Sequence, residues 1–383
     1  MTRKVMLVFG TRPEATKMAP VFMALRQSRF LKPILCVSAQ HREMLDLVLD
    51  HFGIVPDHDL DVMTPRQSLS MIATRVIDGL DAILTASPPD MVLVHGDTTT
   101  TMAAAIAAFH RVIPVGHVEA GLRTGDKMQP YPEEMNRRVV DAVSDLHFAP
   151  TQVSKGNLLR EGISPSGIFV TGNTAVDALL WTVRPDYVFH DEALRRADWG
   201  APEKILAVEV HRRENWGEPL RRVGSALRRV ATELPVRLIV SVHKNPEVRE
   251  AIPPYLEGLP NVMLHEPFEY PDWANLMKRA RLVITDSGGL QEEAPSLGRP
   301  VLVCREKTER PEAVEAGTVK LVGTDENAIF ETTRELLDDG ALWKAMSQAK
   351  NPYGDGDAAV RTIQAIEHYF GFRETRPLDF GAV

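Results

Sequence analysis

The chain contains few cysteines and no long apolar run, and both shortages narrow the kinds of protein it can be. Of its 383 residues two are cysteine, Cys36 and Cys304, and both lie in apolar, strand-like segments. This placement predicts buried free thiols and argues against a disulfide framework or a zinc site. The N terminus enters a strand pattern without the features of a signal peptide, and no segment reaches membrane-spanning length. We therefore expect a cytoplasmic protein with no membrane partner.

Positive charge is also scarce, because 44 lysines and arginines face 52 aspartates and glutamates. The resulting net charge of −8 opposes nonspecific binding to nucleic acid. Aromatic residues make up 6% of the chain, and no basic stripe is interleaved with them. We therefore expect no nucleic-acid partner, and an anionic substrate would have to be held by local arginines and backbone amides.

Short apolar runs alternate with amphipathic stretches along the whole chain, which predicts parallel sheets covered by helices. The first series of predicted strands is Val5–Phe9, Ile34–Val37, Met91–Val94, Pro114–Val118, Leu146–Phe148 and Ile168–Val170. The second series is Ile205–Val210, Leu238–Val242, Val262–Leu264, Leu282–Thr285, Pro300–Cys304 and Val319–Val322. We predict an α/β protein of two doubly wound Rossmann-like domains facing a central cleft. The expected domains are residues 1–171 and 172–362, with a C-terminal helix, about 363–383, packing back on the first.

The segment Thr285–Gly298 joins a predicted strand to a helix through a turn with two glycines. Ser287 is placed to cap that helix, and Gly288 and Gly289 would let an anion approach exposed amides. Carboxylates that follow in the helix could hold a hydroxylated ring. The pattern favours a nucleotide-sugar site, although glycines between a strand and a helix are more often plain turn chemistry.

Two neighbouring predicted strands end in His95-Gly96-Asp97 and His117-Val118-Glu119. Residues two apart in extended backbone share a face, so each end is predicted to pair an imidazole with a carboxylate. A charged group at a buried strand end is costly unless it is paired, which favours a function. Asp97 could instead cap the helix Thr98–Phe109, with Glu119 bonding loop amides. The four side chains could also bind a divalent metal, but no H-x-x-x-H element occurs, and we expect no metal.

Further charged candidates follow other predicted strands. Arg12 and Lys17 lie about one helical turn apart, where they could meet an anion or simply pair with Glu14 and solvent. Glu133 begins a helix pattern four residues before Arg137, so the two could touch, as at an ordinary helix start.

Imidazoles and guanidiniums recur at strand ends in the second half of the chain, at His211, Arg212 and His243, where they would suit a diphosphate. One aromatic side chain nearby could lie flat against a base, although aromatics in such positions are more often core. The candidates for this stacking are Phe268, Tyr270 and Trp273.

In order along the chain, these motifs resemble the non-hydrolysing UDP-N-acetylglucosamine 2-epimerases, a family with the glycosyltransferase-B type of two-domain fold. The matching segments are Gly10–Lys17, Gln40–Leu45, His95–Thr100, His117–Asp126, Pro132–Arg137, His211–Asn215, His243–Pro246, Thr285–Gly298, Thr308–Thr318 and Asn351–Gly356. The resemblance implies reversible conversion of UDP-N-acetylglucosamine to UDP-N-acetylmannosamine without nicotinamide or metal. The implied route is anti elimination of UDP to a 2-acetamidoglucal, followed by re-addition.

The resemblance also implies roles for individual residues. The implied catalytic groups are Asp97, Glu119, Glu133 and His211. The implied substrate contacts are Arg12, Lys17, Arg137, Phe268, Trp273, Ser287, Gly288, Gly289, Glu293 and Arg310. Among them, Trp273 would stack on uracil, Glu293 would bond the ribose, and Arg137 would orient Glu133. An allosteric UDP-N-acetylglucosamine site is implied at Gln40, Arg212 and His243.

The resemblance further implies a homodimer and a role in supplying envelope polysaccharides, with UDP-N-acetylglucosamine and UDP as ligands. Two departures from the family pattern, Ser38-Ala39 and Glu209-Val210, could alter loop shape near the sugar or a second nucleotide site. Three rival functions stay open. They are a hydrolysing 2-epimerase that releases free N-acetylmannosamine, a glycosyltransferase on the same fold, and a non-enzymatic nucleotide-sugar sensor.

Overall fold

The structure is a computed structural model that describes residues 2–39, 42–64 and 67–382. The chain forms two compact units. We call Met1–Ala178 with Tyr353–Val383 the N-terminal unit, and Leu179–Pro352 the C-terminal unit. Each unit has its own parallel sheet and its own apolar core.

The N-terminal unit is built on a seven-stranded parallel sheet with strand order β3-β2-β1-β4-β5-β6-β7. Its strands are β1 (Arg3–Phe9), β2 (Leu31–Val37), β3 (His58–Asp59), β4 (Met91–His95), β5 (Val115–Val118), β6 (Leu146–Ala149) and β7 (Ile168–Val170). Its helices are α1 (Arg12–Gln27), α2 (Arg42–Phe52), α3 (Leu69–Ala86), α4 (Thr99–His110), α5 (Glu133–Val143), α6 (Gln152–Arg160) and α7 (Thr174–Thr182), the last crossing into the other unit. Strands β4 and β5 are buried along their whole length, as expected of a parallel sheet covered on both faces.

The C-terminal unit repeats this plan with six strands in the order β10-β9-β8-β11-β12-β13. The strands are β8 (Lys204–Glu209), β9 (Val236–Ser241), β10 (Val262–His265), β11 (Leu282–Thr285), β12 (Val301–Val303) and β13 (Val319–Leu321). The helices are α8 (Glu192–Arg196), α9 (Glu218–Glu233), α10 (Pro246–Ala251), α11 (Pro253–Leu256), α12 (Tyr270–Arg279), α13 (Gly288–Glu293), α14 (Pro311–Glu315), α15 (Glu326–Asp338) and α16 (Gly340–Gln348). Helix α17 (Ala358–Tyr369) then belongs to the N-terminal unit. Short 3₁₀ turns lie at Pro165–Gly167, Arg213–Asn215 and Ala294–Leu297.

The strand order places a topological switch point in each sheet, between β1 and β4 and between β8 and β11. Ligands of doubly wound sheets bind at such points, beyond the carboxyl ends of the strands. In the N-terminal unit the segments there are Gly10–Thr11 and Gly96–Asp97, and in the C-terminal unit they are Val210–Arg212 and Asp286–Ser287. The sheet topology therefore brings the motifs that follow β1, β4, β8 and β11 to these two switch points.

The predicted architecture of two parallel α/β units is confirmed, and within the described residues the short strand β3 is the one strand added to the predicted set. The first division between the units, at Ala178/Leu179, lies later in the chain than the predicted boundary after residue 171. The second division, at Pro352/Tyr353, lies earlier than the predicted boundary after residue 362. The reason lies in contacts that tie the crossing segments together: Asn173 N–H donates to Tyr353 O at 2.6 Å, and Asp177 accepts the N–H groups of Ala358 and Ala359.

Both cysteines are buried free thiols, as predicted, and burial is the main reason why the pKa of Cys36 is raised to about 12. Among the described residues, no helix combines the length and the apolar content needed to cross a bilayer.

Helix α4 is followed by Val112, a surface residue with a strained backbone conformation that can be tested by substitution. Val112 follows the C-cap Arg111, has φ of 56°, and is 91% exposed. A β-branched residue is unfavourable in this left-handed region, whereas Asn tolerates it. Because the exposed side chain buries little surface, we expect Val112→Asn to raise the free energy of unfolding by about 1 kcal/mol. Chemical denaturation measures this change. The control Val153→Asn, at an exposed position inside α6, should give no gain, and an equal gain there would contradict the explanation by strain.

Candidate active site

Glu119 is a buried carboxylate of the N-terminal unit with three polar side chains around it. It follows β5 with φ of 66°, and its side chain is 9% exposed. Lys17 Nζ donates to Glu119 Oε1 at 2.5 Å, and Asn173 Nδ2 donates to the same oxygen at 3.2 Å. His95 Nε2 lies 3.1 Å from the other oxygen, Oε2. The sequence prediction placed Lys17 near an anion, and in the structure this anion is the protein's own Glu119.

The surroundings of Glu119 act on its pKa in opposite directions. Burial raises the pKa, while the charge of Lys17 and the proximity of His95 lower it, and the net pKa lies well below its usual value. Lys17 and His95 therefore keep Glu119 ionised inside a water-poor site. Such a group can accept a proton only when a substrate changes the charge balance around it.

Asp97 lies just beyond β4 and is held by the first turns of α5. Arg137 Nη2 is 2.7 Å from Asp97 Oδ2, and Arg137 Nε donates to the same oxygen at 2.9 Å. Asn136 Nδ2 donates to the backbone oxygen of Asp97 at 2.8 Å. The alternative role of Asp97 as a helix cap is wrong, because Thr98 occupies the N-cap of α4 and accepts the N–H of Thr101.

Glu133 is the first residue of α5, the helix that holds Asp97. Its Oε2 is buried without a hydrogen-bond partner among the described residues. The expected contact between Glu133 and Arg137 is not formed, since Arg137 instead bonds Asp97 and Glu134, whose Oε2 accepts Nη1 at 3.1 Å. A buried carboxylate oxygen without a partner is available to a bound ligand.

The predicted pairing of each histidine with the carboxylate two residues later is also wrong. His95 lies beside Glu119 on the neighbouring strand end, and His117 binds Asp141 and the backbone oxygen of Gly96. His117 thus has no lone pair available for a metal ion. Among the described residues, no three side chains of His, Cys, Asp or Glu are grouped as metal ligands.

Arg12 and Glu14 lie at the first turn of α1, and they differ in surroundings. Glu14 is buried and accepts the N–H groups of Gly10 and Thr11 and the hydroxyl of Thr98. Glu14 therefore ties the two loops of the switch point together rather than pairing with Lys17. Arg12 is exposed, which leaves its guanidinium accessible.

In the C-terminal unit, a buried carboxylate that we did not assign from the sequence organises the site. Asp286 is fully buried and accepts His211 N–H at 3.0 Å, Arg212 N–H at 2.8 Å and Asn215 Nδ2 at 2.9 Å. The sequence feature that could have identified Asp286 is its position between strand β11 and the two glycines. Asp286 thereby fixes the loop after β8 to the loop after β11.

His211 is stacked on His243 with ring centroids 5.0 Å apart. Its Nδ1 has no hydrogen-bond partner among the described residues. Burial lowers the pKa of His211, Asp286 raises it, and His243 and Arg212 lower it further, so that the net pKa is below its usual value. A neutral imidazole with an available nitrogen is suited to proton transfer or to bonding a polar ligand.

The loop Ser287–Gly289 begins α13 with Ser287 at the N-cap position, but its side chain makes no capping bond. A Cβ at Gly288 would lie 3.3 Å from Arg212 Nη2 and 3.9 Å from Arg310 Nη2, so guanidinium groups closely approach this glycine. Arg310 pairs with Glu292, and Arg212 lies 3.3 Å from Glu309. A Cβ at Gly289 would lie 3.8 Å from Glu293 Oε1. Amides, guanidiniums and a carboxylate thus surround one short turn.

The aromatic candidates form a buried stack rather than separate platforms. Phe268 is parallel to His265 at 4.4 Å between centroids, and Trp273 stacks on Phe268 at 6.1 Å. Phe268 and Trp273 are each less than a tenth exposed. Tyr270 is partly exposed but its hydroxyl is buried, and its pKa is raised by burial and by Glu293. Trp273 Nε1 is buried and has no hydrogen-bond partner among the described residues, so this donor is available to a ligand.

Of the three expected allosteric residues, Gln40 lies outside the described part of the chain, while Arg212 and His243 lie beside His211. The residues at the two departures from the family pattern have the following contacts and backbone conformation. Ser38 Oγ is within 2.9 Å of Thr100 Oγ1, and Ala39 has φ of 51°. Glu209 Oε1 lies 3.9 Å from His211 Nδ1.

The two units, each with a parallel sheet and switch-point loops, have the architecture of the glycosyltransferase-B fold class, and similar solved structures share it. A putative UDP-N-acetylglucosamine 2-epimerase from Listeria monocytogenes superposes with a TM-score of 0.94 at 46% identity, covering 100% of both chains. UDP-GlcNAc 2-epimerase from Neisseria meningitidis, bound to UDP-GlcNAc, gives 0.84 at 45% identity over 95% of this chain and 100% of that one.

Sequence comparison identifies the family. The model of the UDP-N-acetylglucosamine 2-epimerase family matches residues 23–367. UDP-N-acetylglucosamine 2-epimerase of Bacillus subtilis is 50% identical over 378 residues, which are 98% of each chain. The chain therefore belongs to the UDP-N-acetylglucosamine 2-epimerase family.

Proposed function

We propose that this protein interconverts UDP-N-acetylglucosamine and UDP-N-acetylmannosamine without hydrolysis. Family membership and the UDP-GlcNAc bound by the related Neisseria meningitidis protein support this substrate. The observation that carries the proposal is the set of three carboxylates in the N-terminal unit, Asp97, Glu119 and Glu133. One is paired with arginine, one with lysine, and one has a buried oxygen without a described partner.

The proposed reaction begins with removal of the C2 proton while the bond from C1 to the UDP oxygen breaks and UDP takes the electron pair. The C2 proton is weakly acidic, so its removal must accompany departure of a good leaving group. The products of this half-reaction are UDP and 2-acetamidoglucal. In the second half, a UDP oxygen attacks C1 and a proton is delivered to the other face of C2. No group is oxidised or reduced, so the reaction needs no redox cofactor.

The carboxylates of the N-terminal unit would carry the protons, and the C-terminal unit would hold UDP. Glu119 is kept ionised by Lys17 and His95, while the buried Oε2 of Glu133 is available to bond the sugar. Arg212 and Arg310 approach the backbone of Gly288, where positive charge would stabilise the departing diphosphate. We assign uracil to the Phe268–Trp273 stack and the ribose hydroxyls to Glu293. His211 would bond the diphosphate or the sugar.

Proton NMR in heavy water tests the function directly. We expect UDP-N-acetylglucosamine to give UDP-N-acetylmannosamine, with deuterium at C2 of both nucleotide sugars. Accumulation of free N-acetylmannosamine would instead indicate the hydrolysing enzyme. Turnover only after addition of a sugar acceptor would indicate a glycosyltransferase, and tight UDP binding without C2 deuteration would indicate a sensor. Any of these three results would refute the proposal.

The proposal also includes a cytoplasmic homodimer that is activated by UDP-N-acetylglucosamine at Gln40, Arg212 and His243 and that supplies envelope polysaccharides. These parts rest on the family resemblance. Analytical sedimentation measures the molar mass in solution and so tests whether the protein is a dimer. The rate of UDP-N-acetylmannosamine turnover with and without added UDP-N-acetylglucosamine measures the activation.

A further inference from the structure

We propose that His117 is a buried imidazolium that positions Asp97 by holding the carbonyl oxygen of Gly96. His117 touches no group assigned to the substrate, so its role is positioning rather than catalytic. The part of the proposal that concerns turnover rests on the proposed function of Asp97. The part that concerns the protonation state of His117 is independent of that function.

The hydrogen bonds of the ring define its protonation. Nδ1 lies 2.6 Å from Asp141 Oδ1, and Nε2 lies 2.7 Å from Gly96 O. A carbonyl oxygen and an ionised carboxylate can only accept hydrogen bonds. Both ring nitrogens must therefore donate, and an imidazole ring with two N–H groups is a cation. The side chain is completely buried, so no water competes for these bonds.

The partner of His117 is ionised, and the positive charge is balanced locally. Burial raises the pKa of Asp141, but His117 and Arg123 lower it, and the net pKa is about 2. Arg123 Nη2 lies 2.6 Å from Asp141 Oδ2 and 2.6 Å from Glu161 Oε2. The chain His117, Asp141, Arg123 and Glu161 thus alternates in sign. Such alternation offsets the cost of burying each charge.

The held carbonyl belongs to the turn that carries Asp97. Gly96 has φ of 66°, its N–H donates to Val118 O at 2.9 Å, and its carbonyl accepts from His117. On the other side of Asp97, Asn136 bonds the Asp97 carbonyl at 2.8 Å. Loss of the His117 bond would leave a buried carbonyl without its donor, and the turn would relax around the glycine. A shift of a reacting group by about 1 Å can cost about 100-fold in rate.

A matched control lies on the neighbouring strand. His147 pairs in register with His117 and is equally buried, and its Nε2 lies 2.8 Å from the backbone oxygen of Asp141. Among the described contacts of His147, none involves Gly96 or Asp97. A variant at His147 therefore perturbs the same core without touching the turn that carries Asp97.

The first experiment measures protonation on the wild-type protein. In wild-type protein with ¹³C,¹⁵N-labelled histidine at neutral pH, both ring nitrogens of His117 should have the chemical shifts of protonated nitrogens, with the signals assigned by through-bond correlation to the His117 backbone. A shift typical of an unprotonated nitrogen at either position would overturn the proposal. This test is independent of turnover, so it stands even if no C2 exchange is found and the proposed function fails.

The second experiment separates positioning from general destabilisation. His117→Gln should lower kcat for epimerisation about 10- to 100-fold and leave KM and the Kd of UDP within about twofold. His147→Gln should keep kcat within about threefold of wild type. A wild-type kcat in His117→Gln, or an equal loss in both variants, would overturn the positioning role. If His117→Gln does not fold, the protonation measurement on the wild type decides.

Discussion

Replacing Asp97 by Asn is expected to reduce C2 deuterium exchange about 1,000-fold while leaving UDP binding nearly unchanged. The substitution preserves shape and leaves one oxygen to accept from Arg137, so the fold should persist. It removes the negative charge that balances Arg137 at 2.7 Å and the capacity to take up a proton. Exchange measured by proton NMR reports the chemical step, and calorimetry reports the Kd of UDP.

A surface pair of the same kind supplies the control for Asp97. Asp81 Oδ1 is 2.5 Å from Arg111 Nε, but both side chains are well exposed. Asp81→Asn should therefore keep full exchange. Wild-type exchange in Asp97→Asn would remove Asp97 from the mechanism, and an equal loss in Asp81→Asn would show that the effect is not specific to the site.

The fold was predictable because parallel strands that are buried on both faces occur in the sequence as short, continuous apolar runs. The segments Met91–Val94 and Leu282–Thr285 are examples, and the observed strands there are Met91–His95 and Leu282–Thr285. The short strand His58–Asp59 was missed since its two residues are polar and carry no apolar pattern. Sequence periodicity thus recovers buried strands and overlooks polar edges.

The site residues named from the sequence stay predictions, whereas several of the contacts predicted for them are wrong. The pairing expected within each strand end assumed extended backbone, in which residues two apart share a face. In the structure β4 ends at His95 and β5 at Val118, and Gly96 and Glu119 each have φ of 66°. These left-handed residues break the alternation. The imidazole of His95 therefore lies beside the carboxylate of the neighbouring strand end.

Ion pairs between distant segments were likewise beyond sequence reasoning. Lys17 and Glu119 are 102 positions apart, and Arg137 bonds Asp97 across 40 positions rather than Glu133 across four. Helical spacing predicts which pairs can touch on one helix, but it gives no information about a partner brought in by the sheet. Predicting such contacts requires knowledge of the strand order, which places β1, β4 and β5 side by side.

Asp286 was not assigned a role from the sequence because its hydrogen-bond donors lie more than 70 positions away along the chain. Its substitution is the change for which we expect the largest effect on stability. Asp286→Asn should lower the free energy of unfolding by about 3 kcal/mol and weaken UDP binding at least about tenfold. The fully buried side chain accepts from His211 N–H, Arg212 N–H and Asn215 Nδ2. An amide has a single accepting oxygen, and its NH₂ group would face one of these donors. The loop that carries His211 and Arg212 would then lose its anchor.

Denaturant unfolding measures the stability of Asp286→Asn, and calorimetry measures UDP affinity. Asp325 provides the matched control in the same unit, since it caps α15 by accepting the N–H of Ala328 at 2.8 Å and lies at the surface. Asn is as good an N-cap as Asp, so Asp325→Asn should change the free energy of unfolding by less than about 0.5 kcal/mol. Stability of Asp286→Asn within that same margin of wild type would contradict an anchoring role. Reduced stability with unchanged UDP affinity would show that the anchored loop does not contact the nucleotide.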